Sequence, residues 1–217
     1  MATTSTRATQ RRGRPPAGSS AAHRVVILDA TFELLVERGY QGTTMAAVAE
    51  RAGSSKETLY AWFGSKQGLF SALIRRQAEA PNRAVAAALD DQGDGDPAAT
   101  LTAFATNLLR LLLGERSVAI NRAALTEPAG ELAVVLLAEG RHRTGPIVEA
   151  YLARLAAADR LRIDDPADAF QLLYGLVIQD LQIRVLLGEP PPPPEALAAR
   201  ARTAVERFLT IIDATAN

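Results

Sequence analysis

The stretch GSSKETLYAWFGSK, Gly53 to Lys66, places a tyrosine, a tryptophan and a phenylalanine within four residues. The chain as a whole holds only six Phe, four Tyr and one Trp. A core would spread such rings at helical spacing. Here Tyr60 and Trp62 carry hydrogen-bonding tips among Ser, Thr and Lys side chains, the composition of a surface that meets a polar partner. Just upstream, Ala49, Gly53 and Leu59 stand at a linked spacing. Two helices that cross steeply need a small residue at the crossing. The turn between them needs a residue that accepts positive φ, which glycine does without strain. The second helix needs an apolar anchor. Together these describe a helix-turn-helix over about 45–64, whose second helix is presented to a DNA major groove. Ser54 and Glu57 fit a capping box at its start.

Working outward, the first 22 residues are Ser, Thr, Ala, Arg, Gly and Pro without apolar periodicity, and read as a disordered basic tail. Helical patterning starts near His23 and reaches a terminator at Gly39. A second helix follows from Thr44, its cap, a third runs from Ser55 to Phe63, and a fourth begins after Ser65. PNR at 81–83 and DDQGDGDP at 90–97 read as breaks. Asp96-Pro97 and Asp165-Pro166 are N-cap and first-turn proline pairs. Between and after them, apolar residues recur at i, i+3, i+4. Helices are predicted over about 117–125, 131–140, 145–159, 166–187 and 195–213. EPPPPPE at 189–195 reads as a stiff extended connector. No segment has strand periodicity. The fold class is therefore all-α, about nine helices, divided into the tail 1–22, a helix-turn-helix domain 23–76 and a second helical domain 77–217.

Net charge is zero, yet its distribution is not even. Residues 1–77 carry eleven Lys/Arg against five Asp/Glu, and the remainder thirteen against nineteen. A basic head on an acidic body suits a polyanion-binding module. The absence of cysteine excludes disulfides and thiol chemistry and suits a reducing cytoplasm. No apolar run of about 18 residues would span a membrane, and the N-terminus lacks the apolar segment of a secretory signal.

GYQGTTMAAVAERAGSSKETLYAWFGSKQGLFSALI, residues 39–74, resembles the DNA-binding region of the TetR family of transcriptional repressors. The shared features are a Gly-aromatic pair after the first helix, a Thr-rich start to the second, and the pattern A..AG.S..TLY..F.SK..L. Two positions depart from it. Ser54 stands where a small or apolar residue is usual, and Trp62 where a histidine is common, which alters a phosphate contact. Residues 108–114 and 161–188 more loosely resemble the AefR-like branch. The resemblance implies a homodimer on a palindromic double-stranded operator, the body binding a small apolar or amphipathic effector.

Base reading is expected from Ser55, Lys56 and Thr58, because lysine can donate to guanine and threonine can use its hydroxyl or methyl. Glu57 either caps the helix or accepts from a cytosine amine, the cap being favoured. Thr44, Tyr60 and Lys66 are expected phosphate contacts. For Trp62, backbone contact and packing stand level, and Phe63 and Leu59 turn inward. Arg12 and Arg14, within RRGRPP, are expected to add groove or phosphate contacts.

In the body, residues 170–187 are apolar on more than one face, as in a helix buried on two sides. Leu176, Ile183, Leu187, Val205, Phe208 and Ile212 are the expected dimer interface. A ligand pocket is expected among helices 4 to 8, lined by some of Phe104, Leu108, Leu111, Ile147, Tyr151 and Tyr174. Asn107, Asn121, Arg122, Tyr174, Gln179 and Asp180 sit among apolar neighbours as polar pocket groups, although for any one of them the ordinary reading is favoured, Asp180 and Arg184 as an i, i+4 ion pair and the amides facing solvent. Catalysis has little support. The two histidines, His23 and His142, stand far apart, no nucleophile or phosphate-loop motif appears, and Asp90, Asp91, Asp94 and Asp96 lack the closing glutamate of a calcium loop. No metal or cofactor is expected. The reading is a cytoplasmic, ligand-responsive repressor. A helical carrier or enzyme with an incidental basic head, and a nonspecific DNA-organising protein, are the alternatives.

Overall fold

The computed structural model describes residues 17–90 and 95–214. These residues form eleven helices and no strand. The first four are α1 (Ala17–Gly42), α2 (Met45–Arg51), α3 (Lys56–Phe63) and α4 (Lys66–Asp90). The rest are α5 (Pro97–Leu113), α6 (Glu115–Thr126), α7 (Glu131–Glu139), α8 (Arg141–Ala157), α9 (Pro166–Ile178), α10 (Leu181–Leu186) and α11 (Pro194–Ala214).

Local chemistry sets most of the boundaries. Gly39 leaves helical geometry at φ 67°, which interrupts α1, and the Thr43 hydroxyl donates to the Gly39 carbonyl at 2.8 Å to seal the bend. Thr44 caps α2 by accepting from the Ala47 N–H. Asp96 and Asp165 each accept from two backbone N–H groups at the starts of α5 and α9, with proline in the first turn. The prolines at 190–193 stay outside helix, and α11 begins at Pro194.

Four expectations are corrected. Residues 17–22 belong to α1 and are not tail, while residues 1–16, with Arg12 and Arg14, lie outside the described residues, as do 91–94 of the acidic stretch. The break at 81–83 does not occur. A proline inside a helix costs about 3 kcal/mol, but α4 is held along its length by α5, α7 and α8. The single helix over 166–187 is two, because Gln179 adopts φ 46°, ψ −127° and turns the chain between α9 and α10. With that break the described residues hold eleven helices where about nine are expected.

Two hydrophobic clusters organise the molecule. One joins α5, α8, α9, α10 and α11, with Phe104, Tyr151, Phe170 and Phe208 among its buried rings. The other centres on α1 to α4, with Ile27, Leu34, Val48, Leu59, Phe70 and Leu73 inside. The second cluster is not confined to the expected 23–76. Ile120 and Ala124 of α6 and Leu132 and Val135 of α7 are buried in it. The apolar faces of α1 and α4 are thus closed by helices that lie well further along the chain, the α1 contacts Gln41–Glu127 and Asp29–Arg116 spanning 86 and 87 residues.

Polar contacts follow the same seam. Buried Glu127 accepts from the Gln41 amide at 2.9 Å and from the N–H groups of Ala129 and Leu132. Arg116 of α6 bonds Asp29 of α1 at 2.8 Å, and Arg76 of α4 reaches the same carboxylate. Arg75 of α4 pairs with Glu139 of α7 at 2.8 Å.

Candidate nucleic-acid interface and internal cavity

The α2–turn–α3 unit has the geometry its sequence predicts. Ala49 is buried at the crossing, Gly53 has φ 60°, and Leu59 is completely buried beneath α3. The Ser54 N–H donates back to the Ala49 carbonyl at 2.8 Å, which closes the turn. The cap differs by one residue from the expected box. Ser55 is the N-cap of α3, accepting from the Thr58 N–H at 3.1 Å, and Ser54 is not. Glu57 lies in the first turn, where hydrogen bonds from its own backbone N–H and from Ser55 hold its carboxyl below the usual value.

Anchoring Leu59 inward turns the opposite face out. Ser55, Lys56 and Tyr60 are exposed, and Thr58 is half-buried with its hydroxyl 3.1 Å from that of Ser55. Thr44 is exposed at the start of α2. Not every cation nearby is free. Arg51 at the end of α2 is held by Glu37 at 2.7 Å and by Glu33 at 3.3 Å. Lys66 is partly buried on the seam, with its ammonium 3.9 Å from the centre of the Tyr40 ring. Burial lowers the affinity of that amine for its proton, against the pull of Glu131 and Glu127. Burial also pushes the Tyr40 hydroxyl up to about 12, with the neighbouring Glu131 adding to the effect.

Trp62 resolves toward packing. It is half-buried at the margin of the head cluster, edge-on to His23 at 5.6 Å and to Phe63 at 6.4 Å. The Arg24 guanidinium lies over its ring at 5.3 Å. An open groove runs between the start of α1 and α3, lined by Ser20, His23, Gly53, Glu57, Thr58 and Trp62. Sequence reasoning places His23 and Arg24 at the start of the first helix but not beside α3, because nothing local indicates that this end of α1 meets Trp62.

A cavity of about 210 Å³ lies where the two hydrophobic clusters meet. Ile74 and Gln77 of α4, Leu111 and Leu112 of α5, and Ile120 and Asn121 of α6 line one part of it. Leu136, Leu137, Arg141, Tyr174 and Gln182 line the remainder. Of the six expected pocket residues, Leu111 and Tyr174 are on this wall. Phe104, Leu108 and Tyr151 are buried within the body cluster and Ile147 packs against it. The Gln77 side-chain nitrogen is buried without a hydrogen-bond partner, while the Asn121 amide donates to the Ser117 carbonyl at 2.8 Å. Arg141 is the charged group of the wall, its guanidinium 4.3 Å from the Tyr174 ring centre. Arg122, Gln179 and Asp180 serve structure instead. Arg122 donates to the Val185 and Leu186 carbonyls, Gln179 accepts from Arg200, and Asp180 pairs with Arg184.

Of the expected interface residues, Val205, Phe208 and Ile212 are buried in the chain's own core, against α5 and α9. The apolar stripe of α11 is consumed within the protomer, so these three have no surface to offer a second copy. Leu176 is half-buried, and Ile183 and Leu187 are 51% and 81% exposed.

Comparison with known proteins matches both halves of this arrangement. The profile of bacterial regulatory proteins of the tetR family matches residues 27–73, and that of the AefR-like transcriptional repressor C-terminal domain matches residues 99–211. The solved structure of a TetR transcriptional regulator from Agrobacterium tumefaciens is 34% identical, with a TM-score of 0.66 over 87% of this chain and 93% of that one. The structure of the flavonoid-responsive regulator FrrA is 28% identical, with a TM-score of 0.64 over 88% and 97%. In sequence, the HTH-type transcriptional regulator YvkB of Bacillus subtilis is 37% identical over 103 residues, 48% of this chain. The chain spans about half the length of that relative, 51%.

Proposed function

The chain belongs to the TetR family of bacterial regulatory proteins, with an AefR-like C-terminal domain, and from that premise we propose that it is a cytoplasmic, homodimeric repressor released from its operator by a small ligand. It is a binding protein rather than an enzyme. The observation that carries the DNA half is the division of α3. Leu59 is fully buried while Lys56 and Tyr60 face solvent. Lys56 and Thr58 then read base edges, and Ser55, Thr44 and Tyr60 serve backbone contacts. Lys66, held on Tyr40, contributes to the seam more than to phosphate. Arg12 and Arg14 add sequence-independent affinity. Of the expected interface residues, Leu176, Ile183 and Leu187 are left for a partner copy, and two-fold pairing sets the recognition helices about one DNA turn apart, roughly 34–36 Å.

The seam cavity supplies the ligand half. It is bounded by α4 of the head and by α6 and α7, which complete the head's core. A ligand that wedges α6 and α7 away from α4 therefore alters the support of the helix-turn-helix itself. It shifts the population only by its differential affinity for the two states. The lining suits a compact amphipath. Its apolar body meets Ile74, Leu111, Leu112 and Leu136, an acceptor group meets Gln77, and an anionic or electron-rich group meets Arg141. The name of FrrA, flavonoid-responsive, is in keeping with an aromatic ligand of that kind.

Footprinting of the intergenic DNA beside the gene, with random DNA as competitor, tests the first half. A discrete footprint that outlasts the competitor is expected. Equal affinity for both DNAs would mean a nonspecific organiser, and no binding to either would mean a carrier. A screen for compounds that erase the footprint tests the second half. Asn121→Leu, which fills the cavity wall, is expected to keep the footprint and abolish the response to any such compound.

A further inference from the structure

We propose that Arg24 is a phosphate contact of the DNA-binding surface and that Trp62 is its positioning residue. The contact implied for the family at position 62 is thereby transferred to the start of α1. This inference rests on the DNA-binding reading above, but goes beyond the family pattern, whose matched region begins at Ile27. Arg24 and His23 lie before it.

Four observations converge. Arg24 is exposed, and forms no ion pair with any described residue. By contrast, Arg51 and Arg76 are neutralised by Glu37, Glu33 and Asp29. The Arg24 guanidinium lies over the Trp62 ring, 5.3 Å from its centre and 6.0 Å from that of Phe63, so it is held at α3 rather than free in solvent. Trp62 is itself fixed by edge contacts with His23 and Phe63. Finally, α3 and the start of α1 form the two sides of one groove, Ser20 and His23 on the α1 side and Ser55, Thr58 and Trp62 on the α3 side, with Arg24 next to His23 in sequence and against Trp62. A duplex laid on α3 brings its backbone against the α1 side of that groove. The acidic group there is Glu57, on the α3 side. An imidazole at position 62 could donate to phosphate directly. An indole with a guanidinium on its face keeps the positive charge and moves it outward on a longer arm. The contact with the ring also restricts the arginine before DNA arrives, so less side-chain freedom is lost on binding.

The test is the salt dependence of binding by the full-length protein, measured on the footprinted intergenic duplex and on a random duplex of equal length. Each phosphate contact contributes roughly 0.9 to the slope of log affinity against log salt. Arg24→Ala should therefore reduce the slope of a dimer by about 1.8. A rise from 50 to 200 mM KCl would then cost the variant about tenfold less affinity than the parent protein. Trp62→Ala should reduce the slope similarly, Trp62→Phe should retain it, and the double variant should do no more than either single change. An unchanged slope for Arg24→Ala overturns the proposal. So does a Trp62→Ala protein that loses affinity at constant slope, the signature of packing alone, or an additive double variant. Because phosphate contacts do not depend on sequence, the random duplex tests Arg24 even where the intergenic duplex shows no preference. Failure of the operator reading is thereby separable from failure of this one.

Discussion

The two hydrophobic clusters are closed in different ways. The head cluster sets two short helices, α2 and α3, each started by its own Ser or Thr, between the long α1 and α4, and its pattern is contained in about fifty residues of sequence. The body cluster joins the two ends of its domain, α5 against α11, and packs the consecutive helices α8 and α9 on one another. Yet the head, the more local of the two, borrows Ile120, Ala124, Leu132 and Val135 from the body. A unit that is recognisable as a motif is thus not a unit of stability. The cavity lies at the boundary where the two clusters share helices.

The largest expected effect tests that loan directly. A fragment ending at residue 90 retains the whole helix-turn-helix but exposes the apolar faces that α6 and α7 cover. It should give no cooperative thermal transition and no footprint. A sharp melt near that of the full chain would show the head to be self-sufficient. Next in size is Leu132→Ala. This side chain is completely buried in the head cluster, and its truncation should cost about 2–5 kcal/mol in urea unfolding. Leu125→Ala, on the neighbouring helix α6 but 73% exposed, should stay within about 0.5 kcal/mol. Equal effects would erase the distinction between the helices' inner and outer faces.

A smaller effect separates stability from recognition within α3. Ser55→Ala removes the cap and should cost about 1 kcal/mol of stability along with some affinity. Lys56→Ala should lower operator affinity by about 1–3 kcal/mol while leaving the thermal midpoint where it was. A midpoint that falls with Lys56 would place that lysine in the fold rather than at the DNA. The smallest effect concerns the α4–α7 clamp. The hydrogen bond from Arg75, aided by the charges of Arg75 and Arg143, holds the Glu139 carboxyl below its ordinary 4.5 against the opposing effect of burial. Its contribution is therefore present above pH 4.5 and is lost as pH falls through the lower folded-state value. Glu139→Gln should lower stability at neutral pH by about 0.5 kcal/mol, and should remove that part of the decline in acid. An acid limb of undiminished steepness in the variant would locate the effect elsewhere.

Several elements were legible because their cause is local. Gly53 needs positive φ, Leu59 anchors, and Asp96 and Asp165 cap helices whose first turns hold proline. Others were misread for want of a partner. Val205, Phe208 and Ile212 form a stripe at helical spacing, but periodicity identifies an apolar face without naming what covers it, and α5 and α9 do so here. Pro81 reads as a stop because its intrinsic cost is local, while the packing that holds α4 is not. Ser54 and Ser55 are both competent caps, and the path of the turn after Gly53 selects Ser55.

From the sequence alone, the all-helical class, the helix-turn-helix and its outward face were determined. Caps, a left-handed glycine and an apolar anchor act within one or two turns of chain, and their requirements are written in the residue types. The tertiary structure alone decided that α6 and α7 complete the head, that a cavity lies beside them, and that Arg24 lies over Trp62. Burial and stacking depend on what arrives from elsewhere in the chain, and no window of sequence contains both sides of such a contact.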